Sequence, residues 1–180
     1  LPNINVLLDD NTHLNQLRNI DITDLLGRDE VKLDVSGIRQ FVEDQVVLVT
    51  GGGGSIGSEI CRQLAPYKPK QLVILDNYEN NVYDLQQELK YQFKDLNLRI
   101  VIASVRDKER IKEVFNQYKP SIVFHAAAHK HVPFMEDDPQ EAIKNNIFGT
   151  LNLAQCSNEF HVKRFVLIST DKAVNPTNIM

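Results

Sequence analysis

Five of the eight glycines in this chain fall within seven consecutive positions, in Thr50-Gly51-Gly52-Gly53-Gly54-Ser55-Ile56-Gly57. A backbone without Cβ can turn tightly and approach a pyrophosphate closely, and the N-terminus of a helix that follows attracts the anion. This loop stands between an apolar run and a segment of helical periodicity, which is the context that the chemistry requires. We predict that a dinucleotide binds at Gly51, Gly54, Ser55, Ile56 and Gly57; the alternative is a flexible glycine loop.

Asp76 closes the next apolar run of the sequence. A carboxylate at this position can accept hydrogen bonds from both hydroxyls of an adenosine ribose, and it repels a 2′-phosphate. No Lys or Arg follows Asp76 until Lys90, so NAD is favoured as the cofactor and NADP stays open. Ser104 and Val105, after the third apolar run, are expected near the adenine. The alternative for Asp76 is a turn aspartate before Asn77.

From Gln45 onward, five apolar runs alternate with segments of helical periodicity. The runs are continuous, which is typical of strands covered on both faces, and they comprise residues 46–49, 72–75, 100–102, 122–124 and 165–168. Strands that alternate with helices form βαβ units, and right-handed crossovers give a parallel sheet. We therefore predict an α/β fold with a Rossmann-like, doubly wound parallel sheet of order 3-2-1-4-5. Its binding crevice is expected at the carboxyl ends of strands 1 and 4.

Apolar residues recur with helical spacing between these runs. Ile56, Ile60 and Leu64 lie four residues apart, and the same spacing relates Ile143, Ile147 and Leu151. Two further segments are marked by Val82, Leu85, Leu89 and Phe93 and by Ile111, Val114, Phe115 and Tyr118. We predict a helix at each of these four segments.

The composition, with 42% hydrophobic and 24% charged residues among 180, indicates a globular domain. A formal net charge of −4 does not favour nucleic acid as a partner, and no uncharged apolar run approaches the ~18 residues of a membrane span. Cys61 and Cys156 form no CxxC or Cys/His pattern, so we expect a reducing cytosol and no metal site. Residues 1–45 are interpreted as an N-terminal arm or a partly ordered linker, and residues 46–180 as the dinucleotide-binding domain.

The segment from His125 to Pro133, HAAAHKHVP, resembles the HAAAxKHVP segment of the CapD-like polysaccharide-biosynthesis proteins. These are extended short-chain dehydrogenase/reductases that act on UDP-sugars, and many are UDP-N-acetylglucosamine 4,6-dehydratases. The resemblance continues through NIFGT at 146–150 and STDKAVNPTN at 169–178. DLLGR at 24–28 is similar to the linker that precedes the domain in this family.

The resemblance implies a cofactor wall of small side chains at Ala126, Ala127 and Ala128. It also implies that Lys130, His131 and Asn178 face the substrate. For His131 the alternative is a loop histidine bonded to the backbone. Asn146, expected at the cofactor, is either a structural hydrogen-bonding residue or the family's active-site asparagine, and the two roles can coincide.

The resemblance assigns the chemistry itself to Thr170, Asp171 and Lys172. In a 4,6-dehydratase a hydride passes from sugar C4 to NAD⁺ and returns to C6 after water is lost. Thr170 is expected to hydrogen-bond the C4 oxygen, Asp171 to protonate the departing C6 hydroxyl and Lys172 to remove the C5 proton. The alternative is a surface ion pair in the turn after strand 5.

Met180 stands where most of this superfamily has the tyrosine that takes the C4 hydroxyl proton, and some long CapD-like proteins share the methionine. We predict a UDP-N-acetylhexosamine 4,6-dehydratase of surface polysaccharide biosynthesis. The alternatives are a nucleotide-sugar 4-epimerase and a dinucleotide-sensing module without catalysis.

The resemblance implies an N-terminal fragment that stops before the substrate lobe and is inactive alone. The full-length protein is expected to be a cytoplasmic homo-oligomer, with any attachment to the inner face of the plasma membrane made through segments outside this chain.

Overall fold

The computed structural model describes residues 34–170 and 173–179. The elements given below belong to one compact unit, Val35–Met180. Most of the predicted N-terminal arm, including the motif at 24–28, lies outside the described residues, and so do Asp171, Lys172 and Met180.

Five parallel strands form the sheet: β1 (Val46–Thr50), β2 (Gln71–Asp76), β3 (Leu98–Ile102), β4 (Ile122–His125) and β5 (Arg164–Leu167). Their order, β3-β2-β1-β4-β5, confirms the predicted topology. In the register of the sheet, Thr50 at the end of β1 lies beside Leu75 of β2 and beside His125 of β4. The carboxyl ends of these three strands therefore meet at one edge.

Helices connect the strands in the alternation that the sequence predicts. They are α1 (Val35–Val42), α2 (Ser55–Leu64), α3 (Glu79–Gln92), α4 (Lys108–Tyr118), α5 (Val132–Asp137), α6 (Pro139–Ala142) and α7 (Thr150–Glu159). A 3₁₀ turn at Ala65–Tyr67 follows α2. A π-helical segment at Ile143–Gly149 joins α6 directly to α7, so that the chain is helical from Pro139 to Glu159.

Side chains on the two faces of β1 to β4 enter two different hydrophobic clusters. Val47 and Val49 belong to the cluster that is covered by α1, α2 and α3, whereas Leu48 belongs to the cluster covered by α4 and α7. Each side chain of this kind contributes about 1.5–3 kcal/mol to stability when it is fully buried. Burial on both faces explains why the strands are continuous apolar runs in the sequence.

The helical run from Pro139 to Glu159 is present as predicted, but its apolar series does not face the core. Ile143, Ile147 and Leu151 are 38%, 59% and 45% exposed. The buried positions of this run are mostly small or polar, and they are Ala142, Asn145, Gly149, Leu153, Cys156 and Ser157. Close packing contributes to this: a Cβ on Gly149 would lie 2.6 Å from Val105 Cγ2, so no larger residue fits at this position of the buried face.

Candidate functional site

The glycine-rich turn joins β1 to α2 at the carboxyl edge of the sheet. Gly51 has a φ of 72°, and the N–H groups of Gly51 and Gly52 donate to Leu75 O over 2.8 and 3.3 Å. A Cβ on Gly57 would lie 2.0 Å from Gly51 O, so glycine is needed there for the helix to begin directly against the turn. The first turn of α2 carries no acidic side chain. Its N–H groups and the helix dipole therefore favour an anion at this end.

Asp76, the last residue of β2, is bonded to the glycine turn. Its Oδ2 accepts a hydrogen bond from Gly53 N over 2.9 Å, and its Oδ1 accepts one from Tyr78 N over 2.9 Å. Asn81 Nδ2 donates to Gly53 O over 3.2 Å from the facing helix α3. Each carboxylate oxygen keeps further acceptor capacity, so Asp76 can still bind two hydroxyl groups.

The loop that follows β4 forms the opposite side of the turn. Ala126 N donates to Thr50 O over 2.9 Å, and a Cβ on Gly51 would lie 2.5 Å from Ala127 N. Asn146, in the π-helical segment, binds the main chain of His129 at both its N–H and its C=O. The alanine loop is therefore fixed at one end by the sheet and at the other by a side-chain amide.

His125 forms a buried link beneath this loop. Its Nδ1 lies 2.7 Å from Thr50 Oγ1 and its Nε2 lies 2.9 Å from Thr150 Oγ1, which joins the ends of β1 and β4 to the start of α7. Only 1% of His125 is exposed, and this burial lowers the pKa of the imidazole to about 4. The ring is therefore neutral at physiological pH, and one nitrogen donates while the other accepts.

These elements surround one open cleft of about 220 Å³. It brings together predicted cofactor residues from four separate segments, namely Gly51, Gly54, Asp76, Ser104, Val105, Ala126, Ala127 and Ala128. Ser55, Ile56, Gly57 and Asn146 lie outside the lining. Of these, Gly57 packs against the turn, Ile56 is 57% exposed and Asn146 acts through His129.

The cleft also has lining residues that the sequence did not single out: Gly53, Leu75, Asn77, Asn81, Ala103, His129 and Asn145. Local signals could have indicated some of them. Asn77 directly follows Asp76, and Asn145 directly precedes Asn146. His129 likewise stands between the predicted residues Ala128 and Lys130. Asn81 had no such signal, because it reaches the cleft through a contact with Gly53, which is distant in sequence.

A second cavity adjoins the first and shares Ala128 and His129 with it. Lys130 and His131, predicted to face the substrate, line this cavity with Phe134 and Met135. The ring centroids of His131 and Phe134 are 6.0 Å apart, and Phe134 is 68% exposed. The arrangement offers cationic, hydrogen-bonding and aromatic groups next to the cofactor cleft.

The predicted catalytic segment follows β5. Thr170 is exposed, and its O accepts a hydrogen bond from Ala173 N over 3.2 Å; Asp171 and Lys172 lie outside the described residues. Asn178 is half-buried and does not line either cavity. Its neighbour Ile179 donates a backbone hydrogen bond to Glu136 Oε1 over 2.6 Å, which links the 173–179 segment to α5.

Within residues 34–170 and 173–179, no cluster of three His, Cys, Asp or Glu side chains could hold a metal ion. No helix in the same part of the chain combines the length and the apolar character needed to cross a bilayer. Cys61 and Cys156 are both buried free thiols.

Residues 47–180 match the profile of the family described as "Polysaccharide biosynthesis protein". The chain is 49% identical to the capsular polysaccharide biosynthesis protein CapD of Staphylococcus aureus over 181 residues, which cover 100% of this chain and 30% of that protein. It is 40% identical over 134 residues to a UDP-N-acetylglucosamine 4,6-dehydratase (inverting) of Campylobacter jejuni, covering 74% of this chain and 38% of that enzyme. The chain thus spans between 30% and 38% of the length of these relatives.

A solved structure with the same fold is the UDP-glucose 4-epimerase of Stenotrophomonas maltophila with bound NAD and formylated UDP-arabinopyranose. The TM-score is 0.64 at 27% sequence identity, over 71% of this chain and 38% of that one. The chain is therefore similar in fold to a Rossmann-type nucleotide-sugar enzyme, in addition to its similarity in sequence to the relatives above.

Proposed function

Because the chain belongs to the polysaccharide biosynthesis protein family, we propose that it is the dinucleotide-binding part of a nucleotide-sugar 4,6-dehydratase. The observation that carries the dinucleotide site is the bond between Asp76 and the glycine turn, in which Asp76 Oδ2 accepts from Gly53 N over 2.9 Å. The choice of a dehydratase is supported by the 40% identity to a UDP-N-acetylglucosamine 4,6-dehydratase. Asp76 and Gly54, the N-cap of α2, line the same cleft. An adenine dinucleotide fits this cleft, because its ribose hydroxyls can bond the carboxylate and its diphosphate can bind at the helix N-terminus.

The shape of the cleft supports NAD(P) as its occupant. Gly51, Gly53 and Gly54 of the turn line the cleft without side chains, and the facing loop carries only methyl side chains at 126–128, so the main chain is open to a close approach. The carboxylate of Asp76 favours NAD over NADP because it repels a 2′-phosphate. When bound, the cofactor supplies a hydride acceptor for sugar C4 and a hydride donor for C6.

The catalytic roles are proposed for the residues that follow β5. Thr170 hydrogen-bonds the C4 oxygen and orients the sugar. Lys172, as a neutral amine, removes the C5 proton, while Asp171, as a neutral acid, gives its proton to the departing C6 hydroxyl so that water leaves. Desolvation by the bound substrate favours the neutral forms of both groups.

We propose that the substrate is a UDP-N-acetylhexosamine and that its sugar enters the second cavity. The support is the position of Lys130 and His131, which line a cavity that shares Ala128 and His129 with the cofactor cleft. A substrate held there would lie next to the end of the cofactor cleft, as direct hydride transfer requires.

A nucleotide-sugar 4-epimerase is the second candidate, because an NAD-bound epimerase shares the fold. An epimerase would use the same cleft, but it removes no water and has no use for the acid and base at Asp171 and Lys172.

The full-length protein, incubated with UDP-N-acetylglucosamine, is expected to form a 4-keto-6-deoxy sugar by loss of one water, detected by mass spectrometry. A C4 epimer of unchanged mass would instead support the epimerase. Binding of NAD(P) without turnover of UDP-N-acetylhexosamines would contradict both and favour a non-catalytic sensor.

We also propose a cytoplasmic site of action. The support is chemical: Cys61 and Cys156 are free thiols inside the fold, as is usual in a reducing compartment. Accessibility of an introduced surface cysteine to an impermeant thiol reagent, in intact and in broken cells, tests this location.

A further inference from the structure

Asn152, on α7, binds the main chain of a loop that contributes to the cofactor cleft. Its Nδ2 donates to Val105 O over 3.1 Å and to Arg106 O over 3.3 Å. The loop between β3 and α4 is here called the 104–106 loop. Within the described residues, no backbone donor bonds either of these two carbonyls. The side-chain amide of Asn152 therefore satisfies main-chain acceptors that the loop leaves open.

The 104–106 loop has other restraints besides Asn152. Inside the loop, Arg106 N donates to Ser104 Oγ and Asp107 N donates to Ser104 O. These bonds close a turn, but they do not connect the turn to α7. On the surface, Arg106 pairs with Glu141, and both side chains are partly exposed. Exposed pairs of this kind contribute little and weaken with salt. Asn152 thus forms an uncharged hydrogen-bond link between the loop main chain and α7, beside the apolar packing of Val105.

The packing around Asn152 brings α7 close to the same loop. Val105 is 3% exposed, and a Cβ on Gly149 would lie 2.6 Å from its Cγ2. Ser104 and Val105 both line the cleft, whereas Asn152 does not. A displacement of the loop would therefore move a wall of the cleft, and Asn152 can act on a ligand only through that wall.

We propose that Asn152 is a positioning residue for the adenine nucleotide half of the dinucleotide, because it holds the 104–106 loop at the distance from the glycine turn that this ligand requires. The inference rests on the proposed dinucleotide site. It concerns affinity and leaves the groups that react with the sugar unchanged.

The test uses the full-length protein with Asn152→Asp, which keeps the size but removes the donor, and Asn152→Ala as a second variant. Asn158→Ala, an exposed asparagine on the same helix, is the matched control. Calorimetric titration with NAD⁺ and, separately, with UDP is expected to give an NAD⁺ Kd raised about tenfold in both Asn152 variants. The UDP Kd should stay within about twofold of wild type, and Asn158→Ala should change neither constant.

A purely structural role would lower the affinities for NAD⁺ and UDP together with the melting temperature, and this result would overturn the inference. Wild-type NAD⁺ affinity in both folded Asn152 variants would overturn it as well. If the wild-type protein itself binds neither NAD⁺ nor NADP⁺, the proposed function fails, and the positioning role fails with it. Failure of the proposed function is distinguishable from failure of the positioning role, because only the former is seen in the unsubstituted protein.

Discussion

The side-chain amide of Asn146 pairs with the backbone of His129: Oδ1 accepts from His129 N over 2.8 Å, and Nδ2 donates to His129 O over 2.9 Å. The pairing resembles the two-bond exchange between residues of neighbouring antiparallel strands. Since His129 lines both cavities, one side chain supports the wall that the proposed cofactor and substrate sites share.

Asn146→Asp is expected to break this pairing on one side only. The acceptor for His129 N remains, but a carboxylate oxygen replaces the donor that faces His129 O. We expect a loss of about 1–3 kcal/mol in the free energy of unfolding, together with reduced turnover. Urea denaturation and product formation measure the two effects, with Asn158→Asp on the exposed face of α7 as control. Wild-type stability and activity in Asn146→Asp would show that the pairing has no such role.

The free energy of unfolding is expected to decrease as the pH is lowered, because His125 is buried in the folded protein. Burial lowers its pKa from the usual 6.5 to about 4, so between these values the unfolded chain binds a proton that the folded protein does not. The contribution of this group is complete above about pH 6.5 and is lost toward about pH 4, by roughly 3 kcal/mol in total. Unfolding free energies of wild type and His125→Gln, compared at about pH 7 and about pH 5, should differ less at the lower pH. His161→Asn, at an exposed histidine, should keep the wild-type dependence, and an unaltered slope in His125→Gln would contradict this assignment.

Gly57→Ala should be far more damaging than Gly54→Ala. A Cβ at position 57 would lie 2.0 Å from Gly51 O, a backbone atom that cannot move aside, whereas a Cβ at position 54 would lie 3.3 Å from the same oxygen. We expect a loss of about 2–3 kcal/mol or more for Gly57→Ala and less than about 1 kcal/mol for Gly54→Ala. Thermal melting of the two variants gives the comparison. Equal destabilisation would mean that the turn relaxes more easily than its geometry indicates.

Asp76→Ala should weaken NAD⁺ and reduce the discrimination against NADP⁺. The carboxylate both accepts from Gly53 N and provides the acceptors proposed for the ribose hydroxyls. Loss of charged hydrogen bonds to the ribose raises the NAD⁺ Kd about 10- to 100-fold, while removal of the negative charge favours the 2′-phosphate. Calorimetric titration with NAD⁺ and with NADP⁺ measures both constants, and Asp95→Ala, at an exposed carboxylate away from the cleft, should behave as wild type. An unchanged ratio of the two constants would exclude this role for Asp76.

Asp171→Asn and Lys172→Ala in the full-length protein are each expected to abolish the 4-keto product while NAD⁺ stays bound, since the proposed roles are proton transfers and not cofactor binding. Loss of the product in mass spectra, with an unchanged NAD⁺ Kd, is the combined readout. Lys163→Ala, at an exposed lysine just before β5, serves as control. Turnover retained in both variants would end the assignment of these two residues as acid and base.

The sheet was predictable because its determinants are local. Each strand contains a continuous apolar run, right-handed βαβ units give a doubly wound sheet, and the glycine turn after β1 favours the strand order of dinucleotide-binding folds. The glycine turn was predictable for the same reason, since Gly51, Gly54 and Gly57 are close in sequence and their spacing has a known physical purpose.

The remaining parts of the site depend on contacts between distant segments. Asn146 bonds the His129 backbone, and Asn81 bonds Gly53, and no local pattern indicates either pairing. The exposure of the apolar residues Ile147 and Leu151 also depends on a contact with a distant segment. Apolar periodicity predicts the helix correctly, but the facing loop admits only a small residue at Gly149 and so decides which side is buried.

The π-helical segment at Ile143–Gly149 makes the orientation of the side chains around it depend on the number of residues in the helical run. Asn146 and Asn152 contact two different loops from one continuous helical run, and the wide turn between them sets their relative angle. A π-helical turn closes over one residue more than an α-helical turn, so a regular α-helix over the same residues would rotate everything after it by about 100°. Asn152 would then leave the 104–106 loop, although every residue type that the cleft needs would still be present. The extra residue in this turn is therefore what lets one helical run reach both loops.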